Sequence, residues 1–73
     1  MKTYDLHGFT LEEALKLMDK VVGECRLEGG EHILCIITGR GIIRTKITKY
    51  FATNKIDYRF ELGNDGAYII TVE

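Results

Sequence analysis

The chain contains no proline, and it lacks low-complexity tracts, internal repeats and any apolar run long enough to span a membrane. Its 73 residues, with ordinary apolar and charged fractions, therefore predict one small globular domain over residues 1–73 with a modest core. We expect no signal peptide and no membrane partner. The two cysteines, Cys25 and Cys35, lack the spacing of metal ligands, so no metal site is predicted. Both fall on predicted apolar faces, which favours buried reduced thiols over a disulfide and a cytoplasmic location.

The net charge of the chain is only −1, which argues against strong and indiscriminate binding of polyanions. The charges are nevertheless distributed unevenly, because acids dominate residues 1–31 and bases dominate residues 32–59. The bases of the second segment, which stand against Asp57 alone, are Arg40, Arg44, Lys46, Lys49, Lys55 and Arg59. Such a patch can contact several phosphates, or it can be the solvated face of an ordinary helix, and charge alone leaves both interpretations open.

Hydrophobic periodicity predicts six elements in the order β-α-β-α-β-β. The predicted strands cover residues 2–7, 32–38, 56–62 and 67–72. One helix begins at Thr10, where Thr10 and Glu13 form a capping box, and ends before Gly29. The second covers residues 42–53.

The connections between these elements predict the topology of the sheet. Right-handed crossovers make the first three strands parallel, and the turn signal at residues 63–66 makes the fourth antiparallel. Strands two and four are apolar on both faces and belong in the centre, which gives the order 1-2-4-3. Strand three alternates apolar residues, Leu62 included, with charged ones. Helices therefore cover one face only, and the fold is a two-layer α/β sandwich with a four-stranded mixed sheet.

The uncovered face of that sheet predicts a homodimer. Strand two places either Ile33, Cys35 and Ile37 or else Leu34 and Ile36 on the side without helices. An exposed apolar band is unusual in a small stable monomer, so a second copy is the expected cover.

A glycine-rich turn follows strand two. In Thr38-Gly39-Arg40-Gly41, backbone N–H groups and the N-terminus of the next helix form a geometry that suits phosphate. No Gly-Lys-Ser/Thr follows, so the segment is not a P-loop. Parallel strands share a carboxyl edge, where open α/β sheets bind ligands. The ends of strands one, two and three should therefore meet there, with Arg40 and Arg44 at the rim.

Strand one delivers Asp5, His7 and Gly8 to the same edge. A carboxylate beside an imidazole suits a general base or half of a metal site. The alternative is an aspartate that caps the strand end next to a histidine that is merely exposed. The residues of strand one leave both interpretations open.

Taken together, these motifs resemble the small MutS-related (Smr) domain family. Asp5-Leu6-His7-Gly8 resembles the opening strand of that family, and Thr38-Gly39-Arg40-Gly41 resembles its His-Gly-x-Gly motif, with threonine first. Thr10-Leu11-Glu12-Glu13-Ala14, Ile43-Arg44 with Ile47, and Gly66-Ala67-Tyr68 are similar to further family segments in the same order. Two departures concern the second motif: Thr38 stands where histidine is usual, and the loop is shorter than the common pattern.

The resemblance implies a nucleic-acid-binding domain, acting on DNA or RNA, with phosphodiester nicking as an activity of the family. It assigns Asp5 and His7 to cleavage and Gly39, Arg40 and Gly41 to phosphate contact. We add Gly8, Thr38, Arg44 and Lys46 to the nucleic-acid-binding residues. Mg²⁺ is the cofactor expected if the chain cleaves. The alternative is a non-catalytic nucleic-acid-binding or dimerisation module.

Overall fold

A computed structural model describes residues 1–39, 41–61 and 63–73, with the backbone alone at positions 64 and 65. Over these residues the chain forms four strands and two helices in the predicted order. The strands are β1 (Lys2–Asp5), β2 (His32–Ile37), β3 (Asp57–Glu61) and β4 (Asn64–Val72). The helices are α1 (Leu11–Glu28) and α2 (Ile42–Thr53).

The sheet has the predicted order, β1-β2-β4-β3. β1 and β2 are parallel, with Tyr4 opposite Ile36, and β4 runs antiparallel to both β2 and β3. β4 therefore separates two strands that point the same way. The two-layer sandwich predicted from the periodicity is confirmed.

Four strand boundaries differ from the prediction, each because a backbone group bonds elsewhere. β1 ends at Asp5 because Leu6 begins a turn, in which the Phe9 N–H donates to the Leu6 carbonyl at 3.0 Å. β2 ends at Ile37 because the Thr38 N–H turns to the Gly66 carbonyl. β3 begins at Asp57, one residue late, because the Ile56 N–H donates to the Phe51 carbonyl at 2.9 Å. β4 begins three residues early, since Asn64 already pairs with Glu61 across a register shift. Leu62, which was placed on strand three, lies outside the described residues.

Helix α1 begins as the capping box predicts. The Thr10 hydroxyl accepts from the Glu13 N–H at 3.1 Å, and the Glu13 carboxylate accepts from the Thr10 N–H at 2.9 Å. The second of these bonds lowers the pKa of the Glu13 carboxyl, because it stabilises the charged form. The N–H groups that a helix start leaves unpaired are thus partly satisfied within the chain.

Both helices pack on one face of the sheet, where the core lies. Its largest fully buried side chains are Leu6, Met18, Ile36, Ile47, Phe51, Tyr68, Ile70 and Val72. Tyr68 lies at its aromatic centre, with ring centroids 5.4 Å from Phe51 and 5.0 Å from Phe60. Truncating core residues of this kind to alanine typically costs about 2–5 kcal/mol.

The opposite face carries Ile33, Cys35 and Ile37, the first of the two predicted alternatives. Cys35 is nevertheless buried, together with Ala67 and Ile69, in a second small cluster. The neighbouring strands supply this cover: Thr3 is the register partner of Cys35, and Arg59 that of Ile69. The apolar area exposed on this face is therefore smaller than the alternation of side chains along β2 suggested. Ile33, which is 49% exposed, is its one large exposed hydrophobic residue in the described parts of the chain.

The two cysteines are free and buried, as predicted. Burial raises the pKa of the Cys25 thiol and of the Cys35 thiol, and nearby glutamates raise both further. Both thiols are therefore protonated at neutral pH, where they pack as small apolar groups.

Candidate nucleic-acid interface

Three segments that are distant in sequence meet at the carboxyl edge of β1 and β2. The N–H groups of Thr38 and Gly39 both donate to the Gly66 carbonyl, at 2.8 and 3.0 Å. The position that a Gly39 Cβ would occupy lies 4.0 Å from His7 Cδ2, so the β1 turn reaches the β2 loop. The edge therefore assembles from the ends of β1 and β2 and the start of β4, and it forms the candidate site.

Asp5 and His7 are both exposed at this edge, on either side of the buried Leu6. The Asp5 carboxylate accepts from the backbone N–H of His7 at 2.8 Å. Among the described residues, no hydrogen bond joins that carboxylate to the imidazole ring. The geometry thus gives Asp5 the capping role of the second interpretation. His7 is held by its backbone N–H, and its side chain is exposed.

Gly8 makes this turn possible. Its φ is +84°, in the left-handed region that glycine adopts without strain. The turn then closes with the bond from Phe9 to Leu6 and leads directly into the Thr10 cap. Gly8 therefore shapes the backbone that presents His7.

Thr38 is 4% exposed and faces the protein interior. Its hydroxyl lies 2.9 Å from the Gly39 carbonyl and 3.3 Å from the Gly66 carbonyl, so one proton is shared between two acceptors. Because the N–H groups of Thr38 and Gly39 also donate to Gly66, these groups are already committed within the fold.

Arg40 lies outside the described residues. Gly41 caps helix α2 with φ 104° and ψ −148°, a conformation that is essentially restricted to glycine. The N-terminus of α2 has no side-chain cap, and its first turn contains no acidic residue. The first-turn N–H groups therefore point outward without an intrahelical acceptor, beside a partial positive charge from the helix dipole.

Arg44 and Lys46 leave α2 in different directions, so the structure does not bring these two predicted contacts together. The Arg44 guanidinium carbon lies 4.8 Å from the centroid of the Phe60 ring. Lys46 is exposed and instead lines a groove toward helix α1, with Leu11 and Leu15. Arg44 thus belongs to the hairpin side of the edge and Lys46 to the helix side.

The Nε atom of Arg44 is buried and has no hydrogen-bond acceptor among the residues that the structure describes. A buried donor without an acceptor typically costs about 1–3 kcal/mol. Arg44 is held in place from below, because its carbonyl accepts from the Thr48 hydroxyl at 2.9 Å and lies 3.3 Å from the Tyr68 hydroxyl. Arg44 therefore packs over Phe60, and the phosphate contact predicted for it at the rim of the site stays a prediction.

Phe60 is the feature that the sequence analysis missed at this edge. It is 46% exposed, although strand periodicity places it on the helix-covered face. The signal was available in part, since β3 is an edge strand and Phe60 lies near its end. What periodicity could not show is that α2 places the Arg44 guanidinium above the ring.

No group of three histidine, cysteine, aspartate or glutamate residues in the described parts of the chain could hold a metal ion. At the candidate site, the Asp5 carboxylate already accepts a bond from His7. These residues form no all-protein Mg²⁺ cage, so Asp5 could hold the ion only together with waters and a substrate phosphate. Mg²⁺ stays an expectation for cleavage alone.

Comparison with known proteins gives one finding. A family model described as the Smr domain matches residues 4–73. The chain belongs to the Smr domain family. Both motifs at the candidate site lie inside the matched span, as do all the helices and all the strands except the first two residues of β1. No curated protein and no solved structure matches the chain.

Smr domains are associated with nucleic-acid binding and nuclease activity. Neither helix, over the residues described, combines the length and apolar character that a membrane span requires.

The Gly41 backbone conformation gives a first testable prediction. Gly41→Ala should lower the free energy of unfolding by about 1–3 kcal/mol, because the new Cβ is strained in this region of φ and ψ. Lack of space is not the reason, since among the described residues no atom beyond the two chain neighbours lies within 4 Å of that Cβ position. Urea unfolding followed by circular dichroism measures the change.

Gly23→Ala is the matched control. Gly23 lies inside helix α1, where a Cβ also meets open space and φ is not positive. There the same substitution should stabilise the protein by up to about 1 kcal/mol. Equal effects of the two substitutions on the free energy of unfolding would contradict the strain that we predict for a Cβ at position 41.

Proposed function

We propose that this Smr domain binds the sugar–phosphate backbone of a nucleic acid at the carboxyl edge of its sheet. The observation that carries the proposal is the uncapped N-terminus of α2, which starts beside the β1 turn and the Gly39 loop. A phosphate placed there accepts from first-turn N–H groups and meets the positive end of the helix dipole.

The contrast with helix α1 supports this assignment. The N-terminus of α1 is closed by its capping box and carries Glu12 and Glu13 in the first turn, so it repels an anion. The N-terminus of α2 has neither feature. Of the two helix starts, only the second lacks, in the described parts of the chain, both a side-chain cap and an acidic residue in its first turn.

The basic residues of the second half supply the remaining attraction. Lys46 is exposed on α2, and Arg40 lies between Gly39 and Gly41 in the sequence, although outside the described residues. With a net charge of −1, the rest of the chain adds no general attraction for polyanions. Binding should therefore be local and of moderate affinity, with few phosphate contacts. The buried free thiols suit a reducing compartment, and we place the protein in the cytoplasm.

Salt dependence tests the proposal. For Arg40→Gln combined with Lys46→Gln, the slope of log affinity against log salt should shrink by about one to two, since each lost phosphate contact removes roughly 0.9. Fluorescence anisotropy of labelled DNA and RNA over a salt series measures both slopes. It also shows which nucleic acid binds more tightly.

The matched control removes two charges from the opposite edge of the sheet. Lys2 begins β1 and Lys55 lies just before β3, so both stand at the amino ends of parallel strands. Lys2→Gln combined with Lys55→Gln should leave the slope unchanged. The same loss of slope in both double variants would refute a phosphate site at the carboxyl edge.

Phosphodiester cleavage is the second candidate function, and the open imidazole of His7 favours it. In this proposal His7 accepts a proton from an attacking water while the bond from phosphorus to the leaving oxygen breaks. The imidazolium then returns the proton to that oxygen. The first-turn N–H groups of α2 stabilise the charge on the phosphoryl oxygens. Asp5 acts as a positioning residue, because it holds the backbone of His7 and does not touch the reacting atoms.

His7→Ala should lower cleavage by about 100-fold or more while binding changes little, since the phosphate contacts lie on other residues. Asp5→Ala should cost less, and Asp5→Asn least, because the asparagine oxygen can still accept the His7 N–H. Nicking of supercoiled plasmid and cleavage of structured RNA, with and without Mg²⁺, measure these rates.

His32→Ala is the control for the histidine variants. His32 begins β2 at the far end of the sheet, where its Nε2 lies 2.9 Å from the Gly29 carbonyl. Cleavage that is identical in wild type, His7→Ala and His32→Ala would point to a contaminating nuclease. Such a result would favour a binding module without turnover.

A homodimer through the open sheet face stays a prediction. Ile33 is its exposed apolar residue, and charged residues of β3 border the same face. If two copies pair there, sedimentation velocity should show association that rises with concentration, and Ile33→Asp should abolish it. A monomer at all concentrations, for wild type and variant alike, would exclude this interface.

A further inference from the structure

A shallow cavity lies beside the proposed phosphate site and is not explained by it. Its volume is about 280 Å³, and its lining residues are Arg44, Thr45, Thr48, Phe60 and Tyr68. It opens between the first turns of α2 and the aromatic end of the β3–β4 hairpin. We call it the Phe60 cavity. Its lining combines a planar cation, an exposed aromatic ring and three hydroxyl groups.

We propose that the Phe60 cavity binds an unpaired base of the nucleic acid whose phosphate lies at the start of α2. This inference rests on the proposed function and adds a preference for unpaired nucleotides. Aromatic rings and arginine planes are the surfaces on which bases of single strands stack. The two stand together here, with the Arg44 guanidinium 4.8 Å from the Phe60 ring centroid.

The polar atoms of the cavity favour a base over a purely apolar ligand. The Arg44 guanidinium carries N–H donors besides its buried Nε, and the carbonyl and ring nitrogens of a base are acceptors. The Thr45 hydroxyl makes only a long contact, 3.5 Å, to the Gly41 carbonyl and can turn toward a ligand. Thr48 and Tyr68 are joined to each other at 2.6 Å and form a fixed floor.

The distance along α2 favours a nucleotide. Gly41 and Arg44 are three residues apart, which is about 4.5 Å of rise along a helix. A phosphate at the helix start and a base in the cavity can therefore belong to the same or the adjacent nucleotide. A base inside a duplex has both faces stacked on its neighbours and cannot enter without leaving the helix. The cavity thus selects single strands, loops and bulges.

The test compares one labelled sequence in single-stranded and in duplex form, by fluorescence anisotropy. Phe60→Leu keeps an apolar side chain and removes the ring. It should lower the single-strand affinity by about 5- to 100-fold, the usual effect of losing one stacked base, and leave the duplex affinity unchanged.

Tyr58→Leu is the matched control. Tyr58 is 39% exposed, lies on the same strand and face two residues earlier, and is absent from the cavity lining. It should leave both affinities unchanged. Equal losses in the two variants, or equal losses for the two forms of the nucleic acid, would overturn the inference while leaving the proposed function in place.

Phe60→Trp gives a second measurement that does not depend on a loss of binding. The chain has no tryptophan, so the substitution adds a single reporter and keeps an aromatic ring in the cavity. Its fluorescence should be quenched by the single strand and not by the duplex. Binding without quenching would overturn the inference, and the absence of any binding by wild type would overturn the proposed function together with it.

Discussion

The candidate site depends on one backbone acceptor, the Gly66 carbonyl. It accepts from the N–H groups of Thr38 and Gly39, and the Thr38 hydroxyl lies within 3.3 Å of it. These bonds end β2 and direct its loop toward the β1 turn and the start of α2. They are possible because β4 lies between β2 and β3 and runs antiparallel to both, so that its first residues reach the carboxyl edge of the parallel strands.

The insertion of β4 also determines what lies beneath helix α2. Tyr68 is buried on the covered face of β4, opposite Phe60 on β3. Its hydroxyl reaches Thr48 and the carbonyl of Arg44, so a side chain of the sheet holds the first turns of the helix. The position of Arg44 above Phe60 follows from this support. A single central strand thus connects the glycine loop, the helix start and the aromatic surface.

The two helices use their N-termini differently, although both follow a strand and a turn. Helix α1 pairs two N–H groups at its start through Thr10 and Glu13. Helix α2 starts at Gly41, in a conformation that would strain any other residue, and its first turn has no side-chain cap. Exposed first-turn N–H groups are solvated by water in the free protein, and under the proposed function they exchange that water for a phosphate.

The sequence by itself determined the elements, their order and the family. The reason is that these features depend on local chemistry and on which faces must avoid water. They are the three- and four-residue spacing of apolar side chains in the helices, the Thr10 capping box, and the strands that are apolar on both faces. These features correctly predicted the strand order 1-2-4-3 and the first and last residues of α2. The ordered motifs from Asp5 to Tyr68 were sufficient for the Smr resemblance.

Tertiary structure alone decided what each candidate site residue contacts. Sequence spacing placed Asp5 beside His7, but only the turn shows that the carboxylate holds a backbone N–H. It likewise placed Arg44 and Lys46 on one helix without showing that they point to different neighbours. Thr38 proved to be an internal support, and Phe60 an exposed ring. The physical reason is that a side chain's role depends on which donors, acceptors and rings the fold brings within a few ångströms. Those partners, such as Gly66 for Thr38 and Phe60 for Arg44, lie far away in the sequence.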